Sequence, residues 1–389
     1  MHSEDPDDVM VGLASSLNLG AMFSKKFSVK RLLGMFAVAF AVVMSAVLFY
    51  AQPSEAALIA ALPSTTAIKD PRILLRQALP IENSQIRDVQ QKLEKLPRQT
   101  NLKRWGNISS DVDNVVQTLT QQSDKILASV APAQKEAAIA TLADLNKTLI
   151  PLQEAVAAKD RNKVKPLVEK SLEYVGLLES QMVQNFPFQV PDAYANLPQL
   201  KGRAIVEMET EKGAIAMTLD GFSAPVNAGQ FADLVQRGFY NGLVFNRADD
   251  NYFLQAGDPP GDADGFVDKK TGKVRTVPLE IRIPSKKEPI YGKPLADAGF
   301  DRVTPVLPFS AYGTLAMAHP GNDPNGGSSQ FFIYLFESDL TPAGLNLIDG
   351  NYTAFGYVTE GEEVLRNLKL GDKIISAKLV AGAENLVQP

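Results

Sequence analysis

Apolar side chains recur at three- and four-residue intervals from residue 86 to residue 182, then at two-residue intervals beyond residue 203. The chain therefore reads as a helical half followed by a strand-rich half. In the first half, Ile86, Val89, Leu93 and Leu96 form one stripe, with Asn83 or Ser84 placed to cap its start. A second helix is predicted from Ser109 or Ser110, carrying Val112, Val115, Val116, Leu119, Ile126 and Leu127. Pro132 sits where a first-turn proline belongs and opens a third helix with Ile139, Leu142, Leu145, Leu149 and Leu152. A fourth begins near Asp160 and carries Val164, Leu167, Val168, Leu172, Val175, Leu178 and Met182. Four amphipathic helices with short connections predict an all-α, antiparallel four-helix bundle over residues 57–186. Pro151 and Pro166 are expected to bend or interrupt their helices, and Trp105 to cap the bundle or face a partner.

Residues 187–202 are proline-rich and read as a semi-extended linker, free to pack on either side. Alternation then takes over. Ala204–Glu209 and Ala214–Leu219 predict a β-hairpin around Lys212–Gly213, and Pro225 opens a helix ending at Gly238. The second domain spans 203–389, with a long, charged, proline-containing insert at 261–312.

The start of the chain is a different kind of segment. Met1–Ala21 is acidic and unpatterned, whereas Lys25, Lys26, Lys30 and Arg31 precede an apolar run from Leu32 to Phe49. Small residues follow, up to a plausible cut at Ser54–Glu55–Ala56, so residues 1–56 read as a signal peptide region. Met22 is then the expected true start, the alternative being a disordered extension. Lacking a twin-arginine pair, the segment implies Sec export; its length leaves an uncleaved membrane anchor as the other option.

Composition narrows the chemistry. At 389 residues, 45% hydrophobic and 21% charged, the chain suits two globular domains plus a targeting segment. A net charge of −5 argues against nucleic acid as a partner. With no cysteine and only His2 and His319 as histidines, disulfides, thiol catalysis, a metal site and a histidine triad are not expected, nor is any cofactor.

Two stretches carry the candidate chemistry, Phe245–Asp258 (FNRADDNYFLQAGD) and Gly313–Phe332 (GTLAMAHPGNDPNGGSSQFF). The first places Arg247 on a strand, with Tyr252, Phe253 and Gln255 on a second short strand. The other runs a small-residue strand, Leu315–Ala318, through a Gly/Asn/Asp/Pro loop into Gln330–Ile333. Read from residue type alone, this is a charged fork beside an apolar wall. Two blander assignments stay open: an Arg247 ion pair to Asp249 or Asp250, and aromatics serving only as core.

The pair resembles the cyclophilin signature, F-x-R…F-x-x-Q-x-G-D followed by M-A-x-x…G-S-Q-F-F, from about Arg203 to the C-terminus. The resemblance implies a closed antiparallel β-barrel of cyclophilin type and peptidyl-prolyl cis-trans isomerase activity. Rotation about an X–Pro bond faces a barrier of roughly 18–20 kcal/mol. It is lowered by an apolar slot for the ring and a donor to the prolyl nitrogen that acts only in the twisted state. Arg247 is the expected donor and Gln255 its orienting partner. Tyr252, Phe253 and Phe332 form the slot, edged by Gln330 and Ala318. Asn346–Gly356 resembles W-L-D-G-K-H-V-V-F-G, which puts Leu347 at the usual tryptophan, followed by Ile348, and Tyr352 at the usual histidine; His319 replaces an asparagine and Phe253 a methionine.

Export signal, helical bundle, insert and the string Glu337–Pro342 together resemble the multidomain thylakoid-lumen cyclophilins of plants and cyanobacteria. That family's bundle is similar to small extrinsic subunits of photosystem II. The resemblance implies a thylakoid-lumen or periplasmic location and proline-containing clients among photosystem II subunits, with membrane contact only through the signal or the client. The rival functions are a weakly catalytic binding chaperone and a structural extrinsic subunit.

Overall fold

The computed structural model describes residues 67–249, 252–336, 346 and 348–389. The expected signal region, the Met22 start, the string 337–342 and Leu347 therefore lie outside the described residues. Among those described, no helix is long and apolar enough to cross a membrane.

The first helix, α1 (Pro71–Ala78), begins at Asp70, whose carboxylate accepts from Arg72 N at 2.8 Å. It is followed by α2 (Ser84–Asn101), α3 (Trp105–Gln121), the short α4 (Ser123–Ala128), α5 (Lys135–Ala157) and α6 (Arg161–Met182). Asn83 caps α2 by accepting from Ile86 N at 3.0 Å, and Asp160 caps α6 through Asn162 N at 3.1 Å. The second expected helix starts four residues earlier than Ser109, at Trp105, which is half-buried against the helical core. Neither Pro151 nor Pro166 interrupts its helix; both are exposed, so water can satisfy the carbonyl that each ring leaves unpaired. The helices α2, α3, α5 and α6 neighbour one another in a cycle, α2 against α3 and α6, α5 against α3 and α6. Their predicted stripes, Ile86, Leu93, Val115, Leu145, Val168 and Val175 among them, make one buried core.

The strand-rich half forms an eight-stranded sheet. In chain order its strands are β2 (Arg203–Thr210), β3 (Gly213–Asp220), β4 (Phe245–Asp249), β5 (Phe253–Ala256), β8 (Thr314–Met317), β9 (Phe331–Tyr334), β10 (Ala354–Glu360) and β11 (Ile374–Ala381). The spatial order is β11-β2-β3-β10-β8-β9-β5-β4. Its two outer strands approach at a Val244–Lys373 bridge, where Phe245 N donates to Asp372 O at 3.0 Å and Ile374 N to Leu243 O at 2.8 Å. The sheet is thus curled. The predicted hairpin is present in register, Arg203 opposite Asp220 through Thr210 opposite Gly213. Helix α7 (Pro225–Gln236) is buried along almost its whole length, with Phe231 packed on Tyr240, Phe331 and Phe355.

The linker takes one of the options open to it. Val190, Leu197 and Leu200 are buried in the core of the sheet. Strand β1 (Gln199–Leu200) pairs with the C-terminal β12 (Leu386–Val387), and Lys201 N donates to Asn385 O at 2.8 Å. The insert is also ordered. It contributes β6 (Glu280–Ile281), β7 (Ile290–Tyr291) and a small core of Leu279, Ile281, Ile283 and Leu295. Glu280, fully buried, accepts from Val226 N at 3.1 Å and Asn227 N at 3.0 Å, so its carboxylate seals the N-terminus of α7.

Helix α1 falls within the 57–186 range read as the bundle, yet its apolar face belongs to the other half. Leu74, Leu75 and Ala78 pack in one cluster with Leu307, Phe309 and Tyr357. Arginines from three parts of the chain reach the carbonyls of its last turn. Arg87 donates to Arg76 O (2.8 Å) and Leu79 O (2.7 Å), Arg282 to Ala78 O (3.1 Å), and Arg203 to Leu75 O. These carbonyls lie at a helix end, where intrahelical donors run out, and cations favour that pole of the helix dipole.

Candidate functional site

Arg247 and Gln255 face each other across β4 and β5 as register partners. One strand over, Gln255 stands opposite Phe332 on β9 and Phe253 opposite Tyr334. Three adjacent strands therefore deliver the guanidinium, the amide and the aromatic wall to one patch of sheet. Arg247 is exposed, and its guanidinium carbon lies 5.1 Å from the centroid of the Phe253 ring. An Arg247–Asp249 ion pair is absent among the described residues, and Asp250 lies outside them.

The rings continue as a connected wall. Phe253 meets Phe332 at 5.9 Å between centroids, and Phe332 meets Tyr352 edge-on at 5.3 Å. Tyr352 stacks on His319 at 4.6 Å. Both imidazole nitrogens of His319 face carbonyl oxygens, Nδ1 that of Pro320 at 2.9 Å and Nε2 that of Asn351 at 3.0 Å. His319 thus spans the two loops that carry the rim. Ala318 N donates to Gln330 O at 3.0 Å, and Ile348 is half-buried in the same apolar cluster. Tyr252 sits on the far side of Phe253, against Tyr334 (5.4 Å) and Phe336 (5.7 Å). Burial, with Tyr352 and Asp249 nearby, raises the Tyr252 phenol above its ordinary range.

Gln255 was expected to orient Arg247. Its side-chain nitrogen donates to Gln330 Oε1 at 2.6 Å, and Gln330 Nε2 donates to Asp258 Oδ1 at 3.1 Å. Sequence reasoning passed over Asp258 although it closes the quoted motif. It also passed over a supporting layer beneath the wall. Phe309 stacks on Phe332 at 6.1 Å, and its N–H donates to Asp349 Oδ1 at 2.8 Å; Asn346 donates to the Tyr334 hydroxyl at 2.8 Å. Burial pushes Asp349 up to about 6, with the Phe309 N–H pulling the other way. Nothing in strand periodicity marks Phe309, which belongs to the proline-containing insert. The described residues hold no cluster of three or more metal-ligating side chains.

Among the described residues the patch thus sets the Arg247 guanidinium beside a wall of aromatic rings. Residues 205–380 match the family described as cyclophilin type peptidyl-prolyl cis-trans isomerase. Residues 70–183 match the PsbQ-like domain of the CYP38-like peptidyl-prolyl cis-trans isomerases. A Synechocystis protein whose name describes a thylakoid lumen peptidyl-prolyl cis-trans isomerase is 49% identical over 85% of this chain and 87% of its own length. Chloroplastic CYP38 of Arabidopsis thaliana is 41% identical over 85% of this chain and 78% of its own. CYP37 of the same plant is 32% identical over 87% and 75%. The chain belongs to the cyclophilin-type peptidyl-prolyl isomerases, among the two-part thylakoid-lumen cyclophilins of cyanobacteria and plants.

Proposed function

We propose that this chain is a peptidyl-prolyl cis-trans isomerase and folding factor of the thylakoid lumen, acting on proline-containing segments of photosystem II subunits. The observation that carries the reading is the Arg247 guanidinium beside the Phe253–Phe332 wall, three strands bringing cation and slot together. Arg247 donates to the prolyl nitrogen as the amide twists; guanidinium is a fixed, permanently charged fork. The interaction exists only in the twisted state and so accelerates the rotation. Gln255 holds the substrate carbonyl, and Phe253, Phe332, Ala318, Gln330, His319, Ile348, Leu347, Tyr352 and Tyr252 shape the groove. We read residues 57–186 as a four-helix bundle, 203–389 as a closed cyclophilin barrel, and residues 1–56 as a Sec signal. The relatives' names support the lumen, and the PsbQ-like match supports photosystem partners.

A second reading has its own observation. Tyr352 crowds the slot, edge-on to Phe332 and stacked on His319, as in a groove that holds peptide more readily than it turns it over. Isomerisation of a proline peptide by the full chain, beside Arg247→Ala, decides. Arginine-dependent turnover supports the enzyme; peptide binding without turnover supports the chaperone.

A further inference from the structure

The amide chain behind the slot has only one consistent polarity. Gln330 Nε2 lies 3.1 Å from Asp258 Oδ1 and 3.2 Å from Asp264 O. A carboxylate and a backbone carbonyl accept hydrogen bonds and cannot donate them. Gln330 must therefore turn its nitrogen to that pair and its oxygen to Gln255, at 2.6 Å. Gln255 in turn must present its nitrogen to Gln330, which leaves its oxygen as the free end of the amide. Reversal at either glutamine would set donor against donor or acceptor against acceptor.

We propose that Asp258 is a positioning residue for the isomerase reaction: through Gln330 it fixes which end of the Gln255 amide is offered to Arg247 and to substrate. The inference rests on the isomerase reading of this groove. An oxygen at the free end of Gln255 can accept from the guanidinium of its register partner, while the second hydrogen on its nitrogen stays for the substrate carbonyl, whereas an N–H at that end repels Arg247. Asp258 is itself held. Its second oxygen accepts from Asn246 Nδ2 at 3.3 Å, and Asn246 precedes Arg247 on β4. Gly257, at φ +100°, lets the chain turn here, since a Cβ would lie 2.2 Å from Ser329 O.

The test uses the full chain with Asp258→Leu, Asp258→Asn and Asp258→Glu. Leucine has no acceptor and leaves Asp264 O to hold Gln330 Nε2 without help, whereas the Asn carbonyl and the Glu carboxylate both still accept from it. We expect kcat on a proline peptide to fall roughly 3- to 10-fold in Asp258→Leu, the size of losing one hydrogen bond, with KM and Tm little changed. Asp258→Asn and Asp258→Glu should retain most of the rate. A wild-type kcat in Asp258→Leu overturns the proposal. So does a loss that follows a falling Tm and is rescued by neither companion. Side-chain amide NMR of Gln255 gives a readout independent of turnover, one set of NH2 resonances in the wild type and a second, flipped set in Asp258→Leu. Should the wild type show no turnover, the isomerase reading fails and these spectra judge the relay alone; identical spectra overturn it.

Discussion

Arg282 of the insert donates to the backbone carbonyl of Ala78 at 3.1 Å, closing the last turn of α1 across 204 residues of chain. The same guanidinium donates to Phe222 O at 2.8 Å, so one side chain joins α1, the insert and the end of the β2–β3 hairpin. Replacing Arg282 with Ala leaves two buried carbonyls without their donor. The expected loss is about 1–3 kcal/mol, seen as a lower urea midpoint at unchanged m-value. An unaltered midpoint would show that water replaces the guanidinium at no cost.

Arg247→Ala should lower kcat/KM on a proline peptide by roughly 100-fold or more, as removal of a transition-state donor does elsewhere, with no change in Tm because the residue is exposed. Arg247→Lys should recover little, since a point charge does not reproduce the planar fork. Full activity in either variant would remove Arg247 from the mechanism.

Phe332→Ala deletes the ring that touches Phe253, Phe309 and Tyr352. Being 7% exposed, it should cost about 3–5 kcal/mol of stability as well as peptide affinity. Chemical denaturation and peptide titration on the same protein check both losses.

Three buried carboxyls set the pH dependence of stability. Burial raises Glu179 to about 7 against the opposing pull of Arg87, raises Glu280 to about 7, and raises Asp349 to about 6. In each case the folded state holds its proton more tightly than the unfolded chain. Stability is therefore greatest where these groups are protonated and declines as pH rises from about 4.5 to 7. Asp233 acts oppositely. Its hydrogen bonds to Arg237, Arg275 and Gln388 outweigh burial and lower its value, so its contribution fades only in stronger acid. Thermal unfolding should give a higher Tm at pH 5 than at pH 8, and Glu280→Gln should flatten part of that slope. A Tm that rises with pH over this range would contradict the sign.

Much of the site was legible because its two motifs resemble a known family signature, and the two-residue period of strands gives the physical reason they meet. Arg247, Phe253, Gln255 and Phe332 fall at positions that neighbouring strands bring together, and the two quoted motifs contain all of them. The helix caps at Asn83 and Asp160 were legible for an equally local reason, a short polar side chain immediately before a periodic run. Helix α1 was not. It is short, and its buried face meets Leu307 and Phe309, partners more than two hundred residues away. Glu280 reads as one more solvated charge in a charged insert; only the exposed N–H groups of α7 make it a buried plug. The Gln255–Gln330 contact was not legible, because spacing identifies neighbours without fixing which of them an amide bonds.

The pairing of β1 with β12 makes the entrance and exit of the cyclophilin half adjacent strands of one seam. Residues ahead of Arg203, where the sequence changes character, thus pack as part of the same core. A truncation there would strip the tail of its partner and delete Val190, Leu197 and Leu200, uncovering the core they pack against. A portable version of this half has to start upstream of Phe186. With its ends already side by side, it is also suited to being rejoined head to tail and reopened at another loop.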